Sequence, residues 1–249
     1  MDNIFKSTLV VCVLLAGCNS KTKEPTASQT PSGSSTAPSG QDAANQKKAL
    51  VRFAQTVPGN QPMDLWFGDM KVFSNAAYKE VTPYVEVPAE RHEFRLQPGG
   101  DTQPAAPATN SEGLSAGGHY TIVAEKKTSA KDGLALDALT DDFKTPAEGK
   151  AKVRIINAAV GLGKIDIVGP DGQIFGGVAD DSATSYKDVA PTQGVLEIRR
   201  SDKKVDALRV NVSLQPGKLY TIFIVGGAGQ RLEAIPVTDQ LTPPTGVGG

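Results

Sequence analysis

The chain has 249 residues, 39% of them hydrophobic and 21% charged, with 26 basic and 27 acidic side chains. A net charge of −1 supplies no general field for nucleic acid, and two His with two Cys leave almost no material for a zinc site or a Cys/His nucleophile pair. Twenty-six Gly and 17 Pro, with aromatics at only 6%, predict many turns and short elements rather than long helices.

At the start, Lys6 precedes an apolar run from Leu9 to Ala16. That run is far shorter than the roughly 20 residues a helix needs to cross a bilayer, and it fits the apolar region of a secretory signal. Leu15-Ala16-Gly17-Cys18 closes it and resembles the bacterial lipoprotein lipobox. The resemblance implies a signal peptide of residues 1–17, cleavage between Gly17 and Cys18, and a lipidated Cys18 whose acyl chains, palmitate among them, hold the protein on the lipid bilayer. It places the protein in a bacterial cell envelope. Asn19 stands where an Asp would retain it, and the resemblance implies that transfer to the outer membrane is permitted if the host is Gram-negative. Cys12 leaves with the signal, so the mature chain is expected to carry neither disulfide nor redox thiol.

Residues 18–47 form the next expected unit, a lipidated linker. From 19 to 47 there is no Leu, Ile, Val, Phe, Tyr or Trp, so nothing there can bury apolar surface and disorder is expected. A flexible coil of about 30 residues has a typical end-to-end distance of about 30 Å.

Folded sequence begins at about Ala49, and it repeats. Val51-Arg52-Phe53 recurs as Val153-Arg154-Ile155, Asp64-Leu65 as Asp166-Ile167, Tyr84 as Tyr186, and Phe94 and Leu96 as Leu196 and Ile198. Further on, Tyr120-Thr121-Ile122 faces Tyr220-Thr221-Ile222, and Leu136-Asp137-Ala138-Leu139 aligns with Leu232-Glu233-Ala234-Ile235. The chain reads as a tandem duplication: a first repeat over 48–142, a second over 150–241 and a tail over 242–249.

Within each copy the elements are strands. Lys152–Ile156, Lys164–Val168 and Val195–Arg199 alternate or are β-branched, Gly169-Pro170-Asp171-Gly172 is a turn, and Tyr220–Val225 is a continuous apolar run. About seven strands in each repeat predict an all-β fold of two tandem immunoglobulin/fibronectin-III-like β-sandwich domains. Leu214-Gln215-Pro216-Gly217-Lys218-Leu219-Tyr220 resembles the tyrosine corner of such sandwiches, and Leu114 to Tyr120 repeats it, so Tyr120 and Tyr220 are expected to be structural.

The two repeats together resemble the bacterial DUF4397 family, a domain of unknown function. Val51-Arg52-Phe53, Asp64, Gly68 and the Tyr120 segment carry the likeness in the first copy; Val153-Arg154-Ile155, Asp166, Gly172 and the Tyr220 segment carry it in the second. The resemblance implies exported, often surface-attached β domains and brings no catalytic residue with it.

Several motifs imitate chemistry. Gly113-Leu114-Ser115-Ala116-Gly117 matches the hydrolase G-x-S-x-G elbow, but a strand-like segment follows it and Ser115 corresponds to Gln215. His92 and His119 have no imidazole counterpart in the second copy and read as surface or strand-edge residues. Asp64 and Asp166 read as acceptors of local backbone hydrogen bonds, and Asp141-Asp142 and Asp180-Asp181 as solvated loop charge, with Ca²⁺ as the competing role. Gly161-Leu162-Gly163-Lys164 and Gly226-Gly227-Ala228-Gly229 lack the residues of a phosphate loop and read as turns. Trp66 either fills the first core or supplies a sugar platform. No catalytic residue, metal site or cofactor is assigned.

The leading expectation is a non-enzymatic lipoprotein with a binding or scaffolding role in the cell envelope, its partner an envelope protein or a glycan and not a nucleic acid. The alternative is a sugar-binding module or an envelope hydrolase acting at the interface of the two domains.

Overall fold

The computed structural model describes residues 47–59, 61–100, 107–127, 133–203, 206–227 and 229–240. Gly17 and Cys18, the linker up to residue 46 and the tail from 241 lie outside them. Every regular element among the described residues is a strand. The first repeat contains β1 (Lys48–Gln55), β2 (Met63–Phe67), β3 (Met70–Ala76), β4 (Val85–Pro88), β5 (Arg91–Pro98), β6 (Ala108–Gly113), β7 (His119–Lys126) and β8 (Leu134–Thr140). The second contains β9 (Ala151–Asn157), β10 (Ile165–Gly169), β11 (Gly172–Val178), β12 (Ser182–Ala183), β13 (Lys187–Val189), β14 (Thr192–Arg200), β15 (Asp206–Leu214), β16 (Leu219–Gly227) and β17 (Gln230–Asp239).

Each repeat is a pair of sheets. In the first, β4-β1-β7-β8 packs on β3-β2-β5-β6; in the second, β12-β9-β16-β17 (with β13 also on β9) packs on β11-β10-β14-β15. One apolar core fills each pair, around Phe53, Leu65, Phe94 and Ile122 in the first and around Ile155, Ile167, Ile198 and Ile222 in the second. A third cluster of Ala54, Val123, Ile156, Ala158, Phe223 and Val225 joins the β1 and β9 sheets face to face. The layers therefore run outer, inner, inner, outer.

The two sandwiches are present, but their strand order is not the immunoglobulin one. There the first two strands are neighbours in one sheet. Here β1 lies between β4 and β7, and β2 sits in the opposite sheet between β3 and β5. The pairing of β1 with β7 is parallel, Val51 beside Tyr120 and Phe53 beside Ile122, and β9 with β16 repeats it. A central strand buried on both faces reads as a nearly continuous apolar run, as Tyr220–Val225 does.

The pairing also corrects one alignment. Tyr120 pairs with Thr140 and Tyr220 with Thr238, so Leu139 is the counterpart of Val237 and Asp137 of Ile235. The sequence match of Leu136–Leu139 with Leu232–Ile235 is two residues out of register. A two-residue slip preserves the face of every side chain, which is why the apolar pattern concealed it. Pro236 interrupts the ladder of β17 without cost because β17 is an edge strand.

Candidate functional site

The β1 and β9 sequences alternate, and the residues that alternation sends away from each core meet at the middle seam. Arg52 donates Nε–H to Thr121 Oγ1 (2.9 Å) in its own repeat, then crosses to Asp239 Oδ1 (2.7 Å) and Thr221 Oγ1 (3.3 Å) in the other. Arg154 mirrors it, with Nε–H to Thr221 Oγ1 (2.9 Å) and its guanidinium on Asp141 across the seam. Thr121 donates to Asp141 (2.7 Å) and Thr221 to Asp239 (2.7 Å). Tyr84 donates to Asp141 and Tyr186 to Asp239, while each ring lies 4.8–4.9 Å from the guanidinium carbon of its own repeat's arginine.

All four ionised side chains are at most 3% exposed. Burial lowers the affinity of Arg52 for its proton, and Asp239, Tyr84, Asp141 and Tyr186 together more than offset this, so the guanidinium is held charged. Burial together with Asp141 pushes the Tyr84 phenol far above its ordinary range. The duplicated arginines, aspartates, threonines and tyrosines thus form one reciprocal network that welds the repeats. Sequence alignment paired the arginines, threonines and tyrosines, but it neither matched Asp141 with Asp239 nor revealed that each arginine serves the opposite copy. Asp141, read as loop charge, is buried; Asp142 beside it is exposed.

The other singled-out residues fall elsewhere. Asp64 accepts the N–H of Asn75 (2.7 Å) and pairs with Lys71; Asp166 accepts the N–H of Gly177 (2.9 Å) and the Ser201 hydroxyl. Asn75 and Gly177 both have positive φ (53° and 66°), so the repeated carboxylate pins a left-handed residue of β3 and of β11. Burial acts against the Asp64 charge, and Lys71 with the Asn75 N–H outweighs it, keeping that carboxyl below its ordinary value.

The Tyr120 hydroxyl accepts the Ser115 N–H (2.8 Å) and Tyr220 the Gln215 N–H (3.0 Å). Ser115 lies in the turn before β7, where a hydrolase elbow needs a helix. His119 is half-buried at the start of β7, a strand-edge position, whereas His92 is not a surface residue. His92 is buried on Phe67 and Phe94 with Nε2 2.8 Å from the Pro88 carbonyl, and His119 packs among Tyr84 and Phe143, where burial lowers its basicity. Trp66 is outside the first core: it lies half-buried between Lys71 and Arg95, with Nε1 enclosed and unpartnered. Gly226 and Gly227 hold φ of 98° and 78° where the backbones of Arg231 and Val160 leave no room for a Cβ. Among the described residues, no three His, Cys, Asp or Glu side chains gather as a metal site.

Three concave surfaces stand out among the described residues. Two occupy equivalent places, beside the β2–β3 turn at Gly68-Asp69 (470 Å³) and beside the β10–β11 turn at Pro170-Asp171 (170 Å³). The third, of 420 Å³, opens between the repeats beside Leu139, Thr140, Ala183, Ser185 and Tyr186. It has no counterpart among these surfaces.

Residues 49–168 match the DUF4397 family, a domain of unknown function, so the match covers the first repeat and runs on through β9 into β10. No curated protein sequence matches the chain. Similar solved structures include the Bacillus anthracis TIE protein, at 8% identity and TM-score 0.23 over 72% of this chain and 34% of that one. A streptococcal virulence factor described by its alpha-glucan binding matches at 10% identity and TM-score 0.24, over 75% and 95% of the two chains. CBMbc (family CBM26) of Eubacterium rectale Amy13K, in complex with maltoheptaose, matches at 10% identity and TM-score 0.21, over 79% and 98%. This chain spans about a third of the TIE protein. Scores this low transfer no function.

Proposed function

We propose that this protein is a non-enzymatic binding module of the bacterial cell envelope, tethered to the lipid bilayer through an acylated Cys18 and a linker over 18–47. The observation that carries the proposal is the reciprocal network of Arg52, Asp239, Arg154 and Asp141. It engages the duplicated polar residues in joining two sandwiches into one rigid body, and it buries their hydroxyls and carboxylates inside the seam. A rigid body with concave surfaces at its rims suits display of a binding surface rather than turnover.

Cross-linking in intact cells followed by capture of the tagged full chain tests this, with the untagged strain as background. A recurrent envelope protein or glycan fragment, with Cys18→Ala shifting the protein out of the detergent phase, is the expected result. Turnover of an ester or glycoside that Ser115→Ala or Asp64→Asn abolishes at unchanged stability would overturn it.

Glycan binding through the outer face of the first repeat is a second reading. The observation favouring it is the half-buried indole of Trp66, flanked by Lys71 and Arg95 and carrying an unpartnered Nε1. Loss of glycan retention in Trp66→Ala would establish it.

A further inference from the structure

The seam between the repeats is symmetric at its centre and asymmetric at its rims. Tyr78, Val81 and Pro83 of the β3–β4 connection stand where the β11–β13 connection has Asp180, Ala183 and Ser185. The equivalence is fixed by shared geometry: Lys79 and Asp181 both have positive φ (74° and 52°). Thr82 and Thr184 each accept, through Oγ1, the N–H of the facing residue of β1 or β9, Phe53 and Ile155. On the first rim, Tyr78 and Val81 pack half-buried against the seam cluster together with Ile235 and Val237. On the second rim, Ala183 is exposed and the 420 Å³ groove opens beside it. Replacing Tyr and Val with Asp and Ala has removed the filling of a site whose twin is closed, and Ser185 stands exposed where the first repeat has the exposed Pro83.

The chemistry of the groove selects its occupant. Its cations are already paired: Lys144 with Asp142 (2.8 Å), Lys152 with Asp188 (3.0 Å) and Arg154 with Asp141. With no unmatched cation in its wall, the groove offers an anion little. Ala138, Leu139 and Ala183 supply a small apolar patch, and Thr140 and Ser185 present exposed hydroxyls beside it. A C–H surface ringed by hydroxyls and neutralised ion pairs complements a neutral polyhydroxylated ring. The volume lies in the range of ordinary small-ligand sites.

We infer that this inter-repeat groove binds a neutral saccharide segment, with Leu139 and Ala183 against the ring and Thr140 and Ser185 on its hydroxyls. The inference rests on the binding-module reading and gives it a location separate from Trp66.

The test is calorimetric titration of the full chain with maltotriose, cellotriose and N,N′-diacetylchitobiose, and with trigalacturonate as the anionic control. Three variants accompany the wild type: Ala183→Val and Ser185→Pro, which import the side chains the first repeat already carries, and Trp66→Ala. Saturable binding of a neutral probe is expected, weakened at least tenfold by Ala183→Val or Ser185→Pro, unchanged by Trp66→Ala, with trigalacturonate silent. Binding unmoved by either groove variant overturns the inference, as does binding of trigalacturonate alone. Silence of all the neutral probes at millimolar concentration also overturns it, while recovery of an envelope partner by cellular capture would leave the binding-module reading standing.

Discussion

The two rims of the seam descend from the same duplicated segment, yet one is apolar and shut while the other is polar and open. On the shut rim, Tyr78 and Val81 meet Ile235 and Val237, and Lys79 reaches Glu233 at its border (2.7 Å). On the open rim the counterparts of Ile235 and Val225 are Asp137 and Glu125; Lys127 binds both carboxylates (2.7 and 2.6 Å) and also faces Asp181. Duplication supplied a symmetric joint, and side-chain differences at a handful of positions turned one edge of it into a cleft. The centre tolerates no such divergence because its charges are buried and each must keep its partner.

The largest effect should come from the centre. Arg154→Ala strands the Asp141 carboxylate, and Arg52→Ala strands Asp239. Each should cost about 3–5 kcal/mol of unfolding free energy in denaturant titration. Arg154→Met combined with Asp141→Leu should recover most of that, since no unpaired charge remains. Equal losses for Arg52→Ala and Arg154→Ala would confirm a symmetric centre; unequal losses would carry the asymmetry of the rims inward.

Glu125 sharpens the contrast on the open rim. Burial first, then the neighbouring Asp137, pushes its carboxyl up to about 8 from an ordinary 4.5, with Lys127 acting in the opposite direction. The folded state therefore holds a proton that the unfolded chain releases, so this contribution is full below about pH 4.5 and is lost as pH rises towards 8. Glu125→Gln should flatten the fall in melting temperature between pH 5 and 8, leaving the mutant relatively more stable at alkaline pH. Val225, its counterpart on the other rim, does not titrate.

Smaller effects follow at the borders. Val81→Ala should cost about 1 kcal/mol by exposing the shut rim, whereas the reverse change, Ala183→Val, should alter stability by no more than about 0.5 kcal/mol. Lys79→Ala removes a partly exposed ion pair with Glu233 and should cost about 0–1 kcal/mol, shrinking further in high salt. A larger loss for Ala183→Val than for Val81→Ala would show that the open rim is under packing constraint and would undo the comparison.

Much of the fold was legible in the residues. The recurrence of Val51-Arg52-Phe53 at Val153-Arg154-Ile155 located the repeats, alternation located strands, and Gly169-Pro170-Asp171-Gly172 located a turn that pairs Gly169 with Gly172. Asp64 and Asp166 accept backbone hydrogen bonds, the role their local setting suggested. The candidate groove was not legible. It depends on the absence of bulk at Ala183 and Ser185, and small residues in a connecting segment carry no sequence signal until the twin segment shows what would have filled the space. His92 and Asp141 were misread as exposed for a related reason, because polarity does not report what packs over it.

By itself the sequence determined the duplication, the strand content and the apolar face of each strand, since a period of two is written in the residues. Only the tertiary structure decided what the other face meets. Alternation distinguishes one side of a strand from the other, and a polar side looks the same whether it faces water or a second sheet. Arg52 and Arg154 are buried because each finds a carboxylate in the opposite repeat, a pairing across the repeat boundary that the alternation of a single strand does not contain.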